Sequence, residues 1–121
     1  MAQTKSVLIV EDEADIRDLL RELLEYEGFQ VSTASQGREA LTLLENEPRP
    51  HAILLDLMMP VMNGWELAHA VRERADLSSI PIIVVSAFAD KAAEIHPHAV
   101  VRKPIEMDDL ISILRRCCGD A

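Results

Sequence analysis

Four aromatic residues in a chain of 121, two Phe, one Tyr and one Trp, are too few to build an interior. Any core must therefore come from Leu, Ile, Val, Ala and Met, and the length suits one domain rather than two. Basic residues are scarce as well: 12 Lys and Arg stand against 21 Asp and Glu, a net charge of −9. Nucleic acids and anionic lipid surfaces are held by clustered Lys and Arg, so this balance excludes direct nucleic-acid binding as the expected role. No apolar run approaches the ~20 residues of a membrane span, so no membrane insertion is expected. The two cysteines, Cys117 and Cys118, are neighbours and cannot form a disulfide framework. Met1 to Lys5 lead straight into an apolar run with no signal-peptide pattern. These absences together point to a reducing cytoplasm.

What the chain does have is a series of short apolar runs alternating with helical spacing. Val7 to Val10 reads as a buried strand and stops at three acids, Glu11, Asp12 and Glu13. From Ile16 the apolar positions 16, 19, 20, 23 and 24 trace one face of a helix, which Asp12 or a neighbour can cap and which Gly28 ends by taking positive φ. Gln30 to Ala34 is a shorter, more polar strand, which suits an edge. A helix follows Gly37, and Ala52 to Asp56 is a third strand. After the turn from Pro60 to Gly64, a helix runs to about Arg74. Pro81 to Ser86 and Ala99 to Lys103 read as the fourth and fifth strands. Met107, Leu110, Ile111 and Leu114 mark a closing helix. This rhythm predicts an α/β fold: a doubly wound, five-stranded parallel sheet of order 2-1-3-4-5 with helices on both faces. The expected organisation is a single domain over residues 1–121 with no output domain attached.

In such a sheet, ligands bind at the carboxyl ends of the strands. Here those ends carry Glu11 and Asp12 on strand one, Asp56 on strand three, Ser86 on strand four and Lys103 on strand five. Three carboxylates brought together repel one another unless a cation joins them. An all-oxygen set with room for water suits Mg²⁺ better than Zn²⁺. A carboxylate nucleophile, a metal, a lysine and a hydroxyl donor are the parts of a phosphoryl-transfer site.

These residues resemble a response-regulator receiver domain along the whole chain. Leu8-Ile9-Val10-Glu11-Asp12-Glu13 is similar to the family's first strand and acidic pair. Leu55-Asp56-Leu57-Met58-Met59-Pro60 with Gly64 is similar to its phosphoacceptor strand and turn. Val85-Ser86-Ala87 and Lys103-Pro104 resemble its hydroxyl strand and lysine–proline pair. The resemblance implies that Asp56 takes a phosphoryl group from a histidine kinase or a histidine phosphotransfer protein. Asp12, Asp56 and the main-chain carbonyl of Met58 would hold Mg²⁺, with Glu11 acting mainly through water. Lys103 would pair with the phosphoryl oxygens, and Ser86 would hydrogen-bond one of them. The implied role is a signalling phosphoacceptor, not an enzyme, read by a downstream protein whose identity the sequence does not give.

Two departures from the family are visible. Val100 stands where the family carries an aromatic that reports phosphorylation. The stretch from Ser86 to Lys103 is shorter than usual by about one helical turn, which implies a shortened fourth helix of about two turns. Partner recognition is then expected on the first or last helix. The competing reading is a protein-binding module of the same fold that does not use phosphorylation. A phosphohydrolase would want an acid two residues after Asp56, and Met58 stands there. A flavin site is disfavoured because Glu11 and Asp12 would repel a phosphate at the first loop.

Overall fold

The computed structural model describes residues 5–46, 49–56, 64–74, 77, 79–86, 99–102 and 106–118, with the backbone alone at Asp56, Gly64, Trp65, Ser86, Val100 and Arg102. The five apolar runs form strands β1 (Ser6–Val10), β2 (Gln30–Ala34), β3 (Ala52–Asp56), β4 (Ile82–Ser86) and β5 (Ala99–Arg102). All pair in parallel, in the order β2-β1-β3-β4-β5, which is the order expected from the sequence and leaves the polar β2 at an edge. Among the described residues, four helices lie between and after them: α1 (Ala14–Tyr26), α2 (Gly37–Asn46), α3 (Gly64–Glu73) and α4 (Met107–Cys117). Boundaries differ from the sequence reading by a residue or so. β1 begins at Ser6, α2 takes in Gly37, and α3 ends at Glu73. The shortened helix expected between β4 and β5 lies outside the described residues.

The sheet is buried on both faces because alternate residues of each strand serve different cores. Leu8, Val10, Ile53, Leu55, Ile82 and Val84 face α2 and α3, where Ala40, Leu44, Leu67, Ala68 and Val71 close over them. Val7, Ile9, Ala52, Leu54, Ile83 and Val85 face α1 and α4, against Leu20, Leu24, Leu110 and Leu114. Pairing in register keeps like with like: Leu8 stands opposite Ile53, and Ile53 opposite Ile82. Each fully buried Leu or Ile contributes about 1.5–3 kcal/mol, so this aliphatic double core is adequate without aromatic mass. At the amino end of the sheet, His51 fixes the start of β1. Its Nδ1 accepts the Ser6 N–H at 3.0 Å while its own N–H donates to the Ser6 carbonyl at 2.8 Å.

Gly28 ends α1 as expected, with φ at +98°. The Phe29 N–H donates to the Leu24 carbonyl and the Gly28 N–H to the Glu25 carbonyl, both at 3.0 Å, which is a Schellman closure. Phe29 and Leu24, the apolar pair that accompanies such a closure, are both buried in the same core. At the other end, the helix is not capped by a side chain of its own. Glu13 occupies the N-cap position without a side-chain cap bond, which corrects the sequence expectation. Its N–H is taken instead by the Glu11 carboxylate.

The closing helix carries Cys117 and Cys118 as thiols. Cys118 is buried in the α1–α4 core, and Cys117 is half-buried beside it. Burial pushes the Cys117 thiol up, while Arg116 pulls weakly the other way. A thiol raised in this way holds less thiolate at a given pH and reacts more slowly.

Two outcomes follow for measurement. No atom lies within 4 Å of where a Cβ at Gly28 would stand, so only backbone strain opposes a side chain there. Gly28→Ala should cost about 1 kcal/mol in urea unfolding, and Gly28→Asn less. Iodoacetamide should label Cys117 more slowly than free cysteine at the same pH. It should reach Cys118 only on unfolding, as read by mass spectrometry of the digested protein.

Candidate functional site

The carboxyl ends of the strands form one edge of the sheet, and register decides which residues meet there. Val10 stands opposite Leu55, so the next residue, Glu11, comes level with Asp56 at the end of β3. Asp56 pairs with Val85, and one step further Ser86 pairs with Arg102. Asp12 follows in the bend beyond the end of β1. The backbone thus brings Glu11, Asp12, Asp56 and Ser86 to one end of three adjacent strands. Lys103 follows Arg102 directly in the chain but, like Met58, lies outside the described residues; so do the side chains of Asp56 and Ser86. Val100 stands opposite Val84 in the register.

Glu11 is the one charged residue buried among those described, at 2 % exposure. A carboxylate so placed is costly unless it is hydrogen-bonded or paired. Its Oε2 accepts the Glu13 N–H at 3.2 Å, at the positive end of α1. Its own N–H still belongs to the sheet, donating to the Ala34 carbonyl at 3.1 Å. Its carbonyl is bonded outside the sheet and accepts from Arg17 Nη1 at 3.0 Å. Asp12, the next residue, sits in the bend that follows and is half-buried. On the neighbouring loop, Glu39 of α2 reaches back so that its Oε1 accepts the Ser35 N–H at 2.9 Å, which steadies the end of β2 beside the acidic turn.

Arg17 is the residue that sequence reasoning missed. A cation in the first turn of a helix runs against the helix dipole, and that was the signal available in the sequence. Glu11 and Asp12 supply only oxygen donors, and Asp56 follows at the end of β3, so the donor chemistry fits Mg²⁺. Among the described residues no three such side chains gather.

A separate groove of about 620 Å³ runs along the flank of the domain between α1 and α4, lined by Leu23, Tyr26, Met107, Ile111 and Arg115 among others. It is distinct from the strand-end edge. Arg115 bridges it, donating to Glu27 Oε1 at 3.0 Å. No helix among the described residues is long and apolar enough to cross a membrane.

Comparison with known proteins agrees with this geometry. Residues 7–115 match the family described as the response regulator receiver domain. The polar-differentiation response regulator DivK of Brucella ovis is 36% identical over 123 aligned positions, covering 98% of this chain and 99% of that protein. The response regulator protein TrrA of Thermotoga maritima, solved in complex with Mg²⁺-BeF, superposes with a TM-score of 0.84 at 29% identity, covering 94% of this chain and 99% of that one. The receiver domain of a sensor histidine kinase from Pseudomonas aeruginosa, solved with a magnesium ion coordinated in its active-site cleft, gives a TM-score of 0.89 at 26% identity. That alignment covers 98% of this chain and all of the other.

Proposed function

The chain belongs to the response regulator receiver domain family, a family of signalling proteins, and from that premise we propose that Asp56 is its phosphoacceptor. The observation that carries this reading is the register that sets Glu11, with Asp12 next to it, level with Asp56 at the ends of adjacent strands. Carboxylates brought level at adjacent strand ends cost electrostatic energy, which a bound cation would offset.

In this reading an Asp56 carboxylate oxygen attacks the phosphorus of a phosphohistidine on the donor protein. The phosphorus–oxygen bond forms as the phosphorus–nitrogen bond breaks, the electron pair leaves with the imidazole, and Asp56 becomes an acyl phosphate. Asp12, Asp56 and the Met58 carbonyl would hold Mg²⁺, with Glu11 acting mainly through water. The bound ion supplies the positive charge that offsets the phosphoryl oxygens. Magnesium in the Thermotoga and Pseudomonas relatives supports this assignment. Lys103 pairs with the phosphoryl oxygens, and the Ser86 hydroxyl donates to one of them and draws its loop inward. The acyl phosphate carries about −1.5 to −2 in place of the carboxylate's single negative charge and adds strong acceptor oxygens, which is enough to bias a two-state loop.

The donor is a histidine kinase or a histidine phosphotransfer protein, and a downstream protein reads the result. The first and last helices are the recognition surface in this reading. Leu19 and Tyr26 support it, since both project from α1 at 55 % and 87 % exposure, one helical face apart by seven residues. The setting is cytoplasmic, in keeping with the Cys117 and Cys118 thiols.

Wild type incubated with Mg²⁺ and acetyl phosphate should gain the mass of one phosphoryl group, and Asp56→Asn should gain none. Wild type that gains no adduct, and shows no spectral change with beryllofluoride, would leave the phosphorylation-independent binding module as the function. Alanine substitution at Leu19 or Tyr26 should weaken donor binding at least several-fold without loss of fold. Binding that depended on residues 88–96 instead would place recognition elsewhere.

A further inference from the structure

Two acids on adjacent residues do not reach one site from an extended strand, because successive side chains point to opposite faces. The chain must turn between Glu11 and Asp12, and something must hold the turn. The bonds on Glu11 show what does. Its N–H stays in the β1–β2 ladder, to the Ala34 carbonyl at 3.1 Å. Its carbonyl is taken by Arg17 Nη1 at 3.0 Å. A closed ring results: the Arg17 side chain donates to the Glu11 carbonyl, the Glu11 carboxylate accepts the Glu13 N–H at 3.2 Å, and the Glu13 carbonyl accepts the Arg17 N–H at 2.9 Å. Arg17 enters that ring twice, through its side chain and through its backbone.

We propose that Arg17 is a positioning residue for the cation site, fixing the plane of the Glu11–Asp12 peptide and so the place from which Asp12 presents its carboxylate. This rests on the reading of Asp12 and Asp56 as Mg²⁺ ligands. The geometry makes a guanidinium well suited to the task. Its donors are fixed in a plane, and the bond to the carbonyl is charge-assisted. The residue does not act as a ligand or touch the phosphoryl group. It acts through the peptide, as outer partners of metal ligands do, and losing such a partner commonly weakens metal binding 10–100-fold.

The proposal has a sign that separates it from plain electrostatics. Arg17 is a cation beside an acidic site, so removing its charge by itself should strengthen Mg²⁺ binding. If Arg17 positions the peptide, removing its donors should weaken binding despite the lost repulsion. The test is Mg²⁺ titration by calorimetry on wild type, Arg17→Met and Arg17→Gln, with circular dichroism to confirm the fold. Arg17→Met keeps the apolar stem and no donor, so it avoids opening a hole in the helix face. Arg17→Gln is neutral but keeps an N–H donor on a shorter stem. Expected are a roughly tenfold weaker Kd for Arg17→Met and a Kd nearer to wild type for Arg17→Gln. The phosphorylation defect of Arg17→Met with acetyl phosphate should shrink as Mg²⁺ is raised to saturation, which a general structural defect would not do. Equal or tighter Mg²⁺ binding by folded Arg17→Met overturns the positioning role while leaving the metal site intact. Absence of Mg²⁺ binding by wild type itself overturns the metal-site reading, and this inference with it.

Discussion

Burying a carboxylate at the end of a strand costs several kcal/mol unless hydrogen bonds and charge are arranged around it, and the first turn of this domain is organised by that demand. Glu11 continues a strand whose described neighbours on both faces are mostly aliphatic. Among the described residues, the next turn of chain supplies partners for it. The N-terminus of α1 supplies an N–H and the positive end of the helix dipole, and Arg17 takes the carbonyl. Helix start, bend and strand end are thus one arrangement rather than three.

The double core explains why the chemistry is confined to an edge. Odd and even residues of β1, β3 and β4 feed opposite clusters, both built mainly from aliphatic side chains. Among the described residues the one buried charge, Glu11, stands where a strand stops. Parallel pairing makes all five strands stop on the same side, with connections that return behind the sheet. A parallel sheet with staggered acidic ends therefore concentrates negative charge at one edge as a consequence of its topology. A divalent cation is the species that such an edge is suited to receive.

The helices divide the remaining work. α2 and α3 close one core, and the Glu39 contact to Ser35 ties α2 to the end of β2 near the acidic turn. α1 and α4 close the other and leave a groove between them that Arg115 and Glu27 span. The exposed apolar side chains of α1 contribute nothing to the core. The helix that holds the acidic turn at its start also exposes Leu19 and Tyr26 further along its length.

Much of this was legible in the sequence, because burial on both faces requires unbroken aliphatic runs. Val7 to Val10, Ala52 to Asp56 and Ile82 to Ser86 could be read as central strands, and polar β2 as an edge. Gly28 could be read as the end of α1, since only glycine takes a φ of +98° without strain. The identity of the acids at the strand ends was likewise fixed by position in the chain. Their mutual level was not. It depends on Val10 meeting Leu55 and Asp56 meeting Val85, pairings between residues tens of positions apart that only the assembled sheet sets. Nor could local pattern distinguish a helix cap made by Asp12 or Glu13 from the one that forms, in which Glu11 takes the N–H and Arg17 the carbonyl. Composition determines which residues must be buried, but the direction of a hydrogen bond at a bend follows from where the neighbouring strand and helix have already been placed.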